Sequence, residues 1–510
     1  GALLLPFLQL FCVFVLIFII IYVFTWSELK PTMCKILTSH LKCGESMKTS
    51  PAPQSSNSPD EQEIESLVEM MEWPEPPAPI NFQASTSPNT TDFYLLTPAS
   101  SHHVGDHVKV LIMARDHRGH PKTYGGDYFK AKLHSQSLKA AVTGSVTDHR
   151  NGTYTASFLL LWPGTVSISI VLIHSSEAIS ILREKRENRY FADNGTTAEV
   201  ECNVIPPSNN VCTYHDQGTS ERWYCTHPLN LPCTAYIDHS AGSLRKIYTP
   251  TELQYFFREQ WIIIKCYGFQ YPSSSFPSWL VTLPGPCTPG LMNLDPSGFF
   301  YQDVWISRSC RNRPFPDSVS ASSCLHGRVL YMFGDSTLRQ WWEYLVNFIP
   351  SVPSIPDHTY MTPHLSHHSY TILFICDLHY IANELDAFGG GHELPVILIN
   401  CNAHLIPFPI RVYIRRIQTI RDAVVRLLKR SPKTQVFIKS GNTGYLYAHG
   451  SDWLSFQLDT VMRLMFSGLP VTILDTWQMT SCHYLPTQLH PAKILVKNEV
   501  DLMLSFLCPQ

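Results

Sequence analysis

The run YMFGDSTLRQWW (331–342) places Ser336 directly after Gly334 and Asp335, and much later the run PTQLHPAK (486–493) carries His490. A serine hydroxyl is a weak nucleophile at neutral pH. It needs a base within hydrogen-bond reach and usually a third group to orient that base. Before Gly334, the apolar run RVLYMF predicts a strand. After it, Leu338, Trp341, Trp342 and Leu345 fall on one helical face. Ser336 is thus expected at a strand-to-helix turn, its hydroxyl near a helix N-terminus, where developing negative charge is favoured. Ser and Asp also suit that turn as plain helix caps. His490 precedes Pro491, a residue suited to a first helical turn, which puts the histidine in the loop ahead of the last helix.

The elements that would position this pair alternate between strand and helix. Strands are predicted at 396–400, 435–439 and 471–475. Helices are predicted at 410–430, with Ile417, Ile420, Val424 and Leu427 aligned, at 452–467, and after His490. Such alternation implies a parallel α/β sheet, whose sites form beyond the carboxyl ends of the strands. Ser336, Asn402, His404, Ser440, Asp475 and His490 all follow strands in this reading.

Upstream the period changes to two. Val108, Val110 and Ile112 share a face, as do Tyr154, Ala156, Phe158 and Leu160, and again Val166, Ile168, Ile170 and Leu172. With turn signals between them, these runs predict an all-β sandwich over 81–200. Residues 201–284 form a cysteine-rich connector. Cys202, Cys212, Cys225 and Cys233 are spaced too widely for paired zinc ligands, so disulfides of open connectivity are expected and no metal.

The chain has 510 residues, 44% hydrophobic and 15% charged, with a net charge of −3. Two or three domains fit that length, and the absence of a basic run excludes nucleic acid as the main partner. Residues 1–26 are almost wholly apolar, which predicts a signal-anchor or a signal peptide. Residues 27–80, rich in Ser, Pro and acid, read as a stem unable to bury a core. There are fifteen cysteines, an even number once Cys12 in the apolar segment is set aside. Sequons stand at Asn89, Asn151 and Asn194. Both features fit an oxidising, glycosylating compartment: the secretory pathway, either as a Golgi membrane protein with a lumenal C-terminal domain or as a secreted one.

Other clusters carry blander expectations. His364, His367 and His368 read as a solvated loop, and FGGGH (388–392) as a flexible connection. Arg411, Arg415 and Arg416 read as a solvated helix face with a minor chance of an acidic-glycan contact. Sugar stacking on Trp341 or Trp342 would require their exposure.

The motifs GDSTLRQWWEYL, PFPIRVYIRR, SDW, DTWQMT and HPAK, in that order, resemble the neurexophilin and PC-esterase domain (NXPE) family over roughly 60–510. The resemblance implies an SGNH-hydrolase-like PC-esterase domain at 285–510, a parallel sheet with helices on both faces. An Ig- or filamin-like sandwich and a disulfide-rich neurexophilin-like module would precede it. It implies Ser336 as nucleophile and His490 as base, with the Ser336 N–H and an amide, placed at Asn402, holding the oxyanion. The family's wider pattern sets an Asp three residues before the His, where this chain has Thr487, leaving Asp475 as the candidate acid. Further departures are Asn402, Ala403 and Ile406 in NAHLIPFP, and Gln478 in DTWQMT. The implied activity is O-acetylation of glycans, with sialic acid on glycoproteins the first acceptor to test. The alternatives are an O-acetylesterase and a catalytically inactive secreted binding protein. No bound cofactor is implied; acetyl-CoA is the candidate acyl donor. The partners would be a glycan or glycoprotein substrate, the membrane through the N-terminal segment, and a protein partner for the N-terminal half.

Overall fold

The period-two runs become antiparallel strands. In a computed structural model they are β1 (Asp92–Leu95), β2 (His107–Met113), β3 (Tyr128–Ser135), β4 (Ala140–Asp148), β5 (Thr153–Leu159) and β6 (Ser167–His174). The structure describes residues 59–96, 102–187, 200, 202–206, 208–215, 222–228, 232–233, 248–256, 284–291, 293–349, 370–375, 380–389, 394–444 and 451–509. The expected inward residues of β2, β5 and β6 are all buried, in one core with Phe129, Leu133 and Trp162. Burying such side chains stabilises by ~1.5–3 kcal/mol each. The first part of β4 pairs with β3 and its second part with β5, so one strand serves both ladders.

Two strands from farther along the chain complete this region. β10 (Gly298–Tyr301) pairs with β11 (Val304–Ser307) and touches β4 at Phe300 and Ala141. The expected boundary at 285 is therefore too early, because 298–307 belongs to the antiparallel half. Between them, β7 (Cys202–Asn203), β8 (Val211–His215) and β9 (Arg222–Thr226) form a small sheet. It is stapled by Cys202–Cys225 and Cys212–Cys233. Two more disulfides, Cys287–Cys310 and Cys324–Cys508, lie downstream.

The C-terminal sheet contains β12 (Arg328–Phe333), β13 (Tyr370–Ile375), β14 (Leu394–Ile399), β15 (Gln435–Lys439) and β16 (Thr472–Leu474). Its order is β13-β12-β14-β15-β16, and each ladder is parallel. Relative to the order of its own strands this is 2-1-3-4-5. The crevice of such a sheet opens beside the first strand, where the winding direction reverses. That first strand is β12, and Ser336 follows its carboxyl end.

Seven helices matter for the site and its supports. They are α1 (Pro59–Met70), α2 (Ser176–Glu187), α3 (Ser336–Phe348), α4 (Ile410–Arg430), α5 (Asp452–Met465), α6 (Thr476–Cys482) and α7 (Lys493–Leu507). The last begins two residues after Pro491, so that proline ends the loop instead of occupying the first turn. Ile417, Ile420, Val424 and Leu427 are buried along α4 as their spacing requires.

Residues 59–510 form one unit. One core joins Tyr128 and Ile173 of the antiparallel half to α4, α5 and β14, and another joins Ala141, Phe300 and Trp305 to α3 and α7.

The stem expectation fails over 59–80. α1 buries Ile64 and Leu67, and its acids meet α4: Glu65 receives Arg411 at 2.7 Å and Glu63 receives Arg421 at 2.5 Å. Arg415 reaches Glu61 at 3.3 Å, while Arg416 lies over Phe408 at 4.8 Å. The face read as solvated is covered by an acidic helix. Low average hydrophobicity concealed two apolar residues at i, i+3 spacing, enough for one buried stripe. Residues 1–58, including the apolar segment, lie outside the described residues, as do Asn194, His364, His367, His368 and most of FGGGH. Among the described residues no helix is long and apolar enough to cross a membrane.

Candidate active site

Asp335 shapes the turn that presents Ser336. It caps α3, its Oδ1 accepting from the Thr337 N–H at 2.8 Å and the Thr337 hydroxyl at 2.7 Å. Its Oδ2 accepts from the Ala403 N–H at 2.9 Å, tying the turn to the loop after β14. Gly334 is required for packing: a Cβ there would stand 3.0 Å from Asn400 and from Leu338. The N–H at the first helical position has no partner inside the helix, and the Asp335 cap takes the next one along. The Ser336 N–H is thereby left available to a developing oxyanion.

The structure brings Ser336 and His490 together: Ser336 Oγ and His490 Nε2 are 2.8 Å apart. Ser336 is half-buried and His490 is exposed. No hydrogen bond reaches His490 Nδ1 from the described residues. Thr487, in the place of the family's acid, is half-buried and makes no hydrogen bond to the described residues.

Two expected partners are engaged elsewhere. Asp475 caps α6, accepting from the Gln478 N–H at 3.1 Å, and takes the Arg463 guanidinium at 2.8 Å. Arg463 also holds Asp459 at 2.6 Å. Lying at the carboxyl end of β16, Asp475 is drawn to the half-buried Arg463 instead of to His490. Asn402 is 5% exposed, and its amide is turned to Ser455: Oδ1 accepts the Ser455 hydroxyl at 2.6 Å and Nδ2 donates to its carbonyl at 3.3 Å. Ile406 is buried in the core. Gln478 faces the antiparallel half, its Oε1 accepting from the Ser297 N–H at 2.8 Å and the Thr143 hydroxyl at 3.0 Å. Trp341 is fully buried, which removes it as a sugar platform; Trp342 is half-buried.

The sequence reading missed a buried polar group beneath the dyad. Lys439, 1% exposed at the end of β15, donates to Asn442 Oδ1 at 2.7 Å and to the Thr337 hydroxyl at 3.3 Å. Asn442 Nδ2 in turn donates to the Leu489 carbonyl at 3.0 Å. Burial lowers the proton affinity of Lys439 below that of an ordinary lysine, while Glu499, Asp335 and Asp459 oppose the shift. Burial pushes the Glu499 carboxyl up, against Lys439 and the Trp341 indole N–H that Glu499 accepts at 2.6 Å. A lysine closing the apolar run QVFIK, followed by Ser-Gly-Asn, was the available signal.

The antiparallel half also reaches this site. Lys130 of β3 pairs with the fully buried Asp452 at 2.9 Å, and Asp452 accepts from the Gly444 N–H at 2.9 Å. A Cβ on Gly444, whose φ is +148°, would collide with the backbone of Gln488 and Leu489. Among the described residues the trio Cys212, His227 and Cys233 lies close enough to hold a metal ion. Its two sulfurs are joined in a disulfide, which leaves one imidazole.

Two family models match. Residues 305–371 and 359–508 match "NXPE family member 4-like, C-terminal domain", and residues 60–251 match "Neurexophilin". The chain belongs to the NXPE family. The neurexophilin match starts within a residue of α1 and spans β1 to β9, leaving β10 and β11 of the antiparallel half outside it. The C-terminal match holds both Ser336 and His490. The disulfides fit an extracellular or secretory-pathway member of this family, and the sequon residues Asn89 and Asn151 are exposed.

Proposed function

We propose that this NXPE protein is a serine-dependent acyltransferase of glycan hydroxyls, acting in the secretory lumen on an SGNH-like PC-esterase fold. The observation that carries the reading is the 2.8 Å contact between Ser336 Oγ and His490 Nε2 at the opening of a parallel sheet. His490 takes the Ser336 proton as Oγ attacks the acyl carbonyl of a donor such as acetyl-CoA. The Ser336 N–H and the N-terminus of α3 face the developing oxyanion. The leaving thiolate takes the proton from the imidazolium, giving the thiol and an acyl-serine. A sugar hydroxyl then loses its proton to His490 and attacks the acyl carbon, and the imidazolium returns that proton to Ser336 Oγ as it leaves, restoring the pair. The acetyl group is the proposed cargo and sialic acid on glycoproteins the first acceptor to test. A Golgi membrane placement is part of the same proposal.

A second reading, an O-acetylesterase, is favoured by one observation: His490 is exposed, so water can take the place of the sugar hydroxyl. The test is glycan O-acetyl content, by mass spectrometry, in cells expressing wild type, Ser336→Ala or His490→Ala. A gain with wild type that both variants lose, by roughly 10³-fold or more in rate, supports the transferase. A Ser336-dependent fall supports the esterase. Equal content among well-folded, secretory-localised proteins moves the reading to a neurexophilin-like binding role.

A further inference from the structure

A serine–histidine pair needs its imidazole held in place, and a carboxylate at Nδ1 is the usual means. Here no such carboxylate reaches His490 from the described residues, and Asp475 is committed to Arg463 and to α6. The loop bearing His490 is instead held by its backbone. The Leu489 carbonyl, one residue before the base, receives Asn442 Nδ2 at 3.0 Å. The other end of that amide receives Lys439 Nζ at 2.7 Å. The same Nζ reaches the Thr337 hydroxyl at 3.3 Å, one residue after Ser336, and lies 5.7 Å from the Trp341 ring. Lys439 and Asn442 are 1% and 2% exposed, so the bonds of Lys439 to Asn442 and to Thr337 are sheltered from competing water.

We infer that Lys439 is a positioning residue that sets Ser336 and His490 in register. Through Asn442 it fixes the Leu489–His490 segment, and through Thr337 it fixes the first turn of α3. The buried amine at the middle of this relay orients the pair through hydrogen bonds to both of its supports, Asn442 and Thr337. The inference rests on the reading of Ser336 and His490 as a reacting pair, and it adds what holds them.

The test uses the full chain and a fluorophosphonate probe, which forms a phosphorus–oxygen bond to an activated serine and expels fluoride. Labelling needs no knowledge of the natural substrate. The variants are Lys439→Met and Asn442→Asp; the second still accepts from Lys439 but cannot donate to the Leu489 carbonyl. Displacing the base should slow Ser336 labelling by about 10²-fold. It should also replace the histidine-dependent pH profile with a rate that climbs with hydroxide. A purely structural effect would scale the rate with the folded fraction and keep the profile's shape. Folded variants that label at the wild-type rate with the wild-type profile overturn this inference alone. A wild type that labels no faster than Ser336→Ala overturns both the inference and the reading beneath it.

Discussion

The two halves of the candidate site are built differently. The Ser336 turn is local: strand, glycine, aspartate cap and helix stand within one stretch of chain, and the Asp335 carboxylate supplies most of its hydrogen bonds. The His490 loop has no such internal frame. It is held by Asn442 from the loop after β15, by the close approach of Gly444, and behind Gly444 by Asp452 and Lys130 of the antiparallel half. The Ser336 side is therefore framed mainly by residues adjacent in sequence, with ties to Ala403 and Lys439, and the His490 side by contacts spanning both matched regions of the family. The neurexophilin-like half thus contributes to the site itself.

Gly444→Ala is the sharpest way to break that contrast. The substitution adds one carbon where the 488–489 backbone already lies, at a φ that L side chains avoid. The loop must move, while the Ser336 turn shares no atom with the change. Fluorophosphonate labelling of Ser336 should fall about 10²-fold, since a shift of ~1 Å costs that much, and the unfolding midpoint should move far less. Unchanged labelling in a folded variant would show that the base is not held from this side.

Asp335→Ala tests the other half. It removes a helix cap worth ~1 kcal/mol and leaves the Ala403 N–H without its acceptor, a further ~1 kcal/mol or more. Chemical denaturation should report a loss of about 2 kcal/mol, with Asp335→Asn recovering the cap's share. A loss near zero would mean that the turn is held by the sheet alone.

The same contrast explains what the sequence made legible. Strands, helices and inward faces follow from periods of two and of 3.6, which are local, and Val108, Tyr154, Ile168, Leu338 and Val424 are all buried as their spacing required. Ser336 and His490 were legible because their types and flanks are distinctive. Asp475 and Asn402 were named from the family resemblance and from their places after strands, neither of which can reveal that Arg463 and Ser455 compete for them. Lys439 and Asn442 act only through partners brought from elsewhere in the chain. The docking of α1 was hidden for the same reason, since its acids gain meaning only from Arg411 and Arg421 on a distant helix.

A last difference between the two sides concerns acid. His483 stands at the foot of the base loop, 2% exposed, with its ring 4.6 Å from that of Phe300 and its carbonyl accepting from Lys132 at 2.7 Å. Burial pushes its imidazole down to about 4 from the usual 6.5; nearby Asp303 opposes the shift and Lys132 adds to it. The folded chain keeps this ring neutral, while the unfolded chain takes up a proton below about pH 6.5. Between pH 6.5 and 4 the unfolded state therefore binds more protons, so the stabilisation is full above the unfolded value and is lost as pH falls toward the folded one. His483→Gln keeps an acceptor for the Leu485 N–H, which His483 Nδ1 now receives at 3.2 Å, but carries no titrating group. The stability difference between wild type and this variant should shrink by about 1 kcal/mol from pH 6.5 to 5.5, as read by urea unfolding at each pH. A difference that stays constant would show that His483 is not held neutral. A shrinking difference, joined to slower hydrogen exchange at the Thr337 amide than at Leu489, would show that acid loosens the base side of the site while the capped Ser336 turn stays closed.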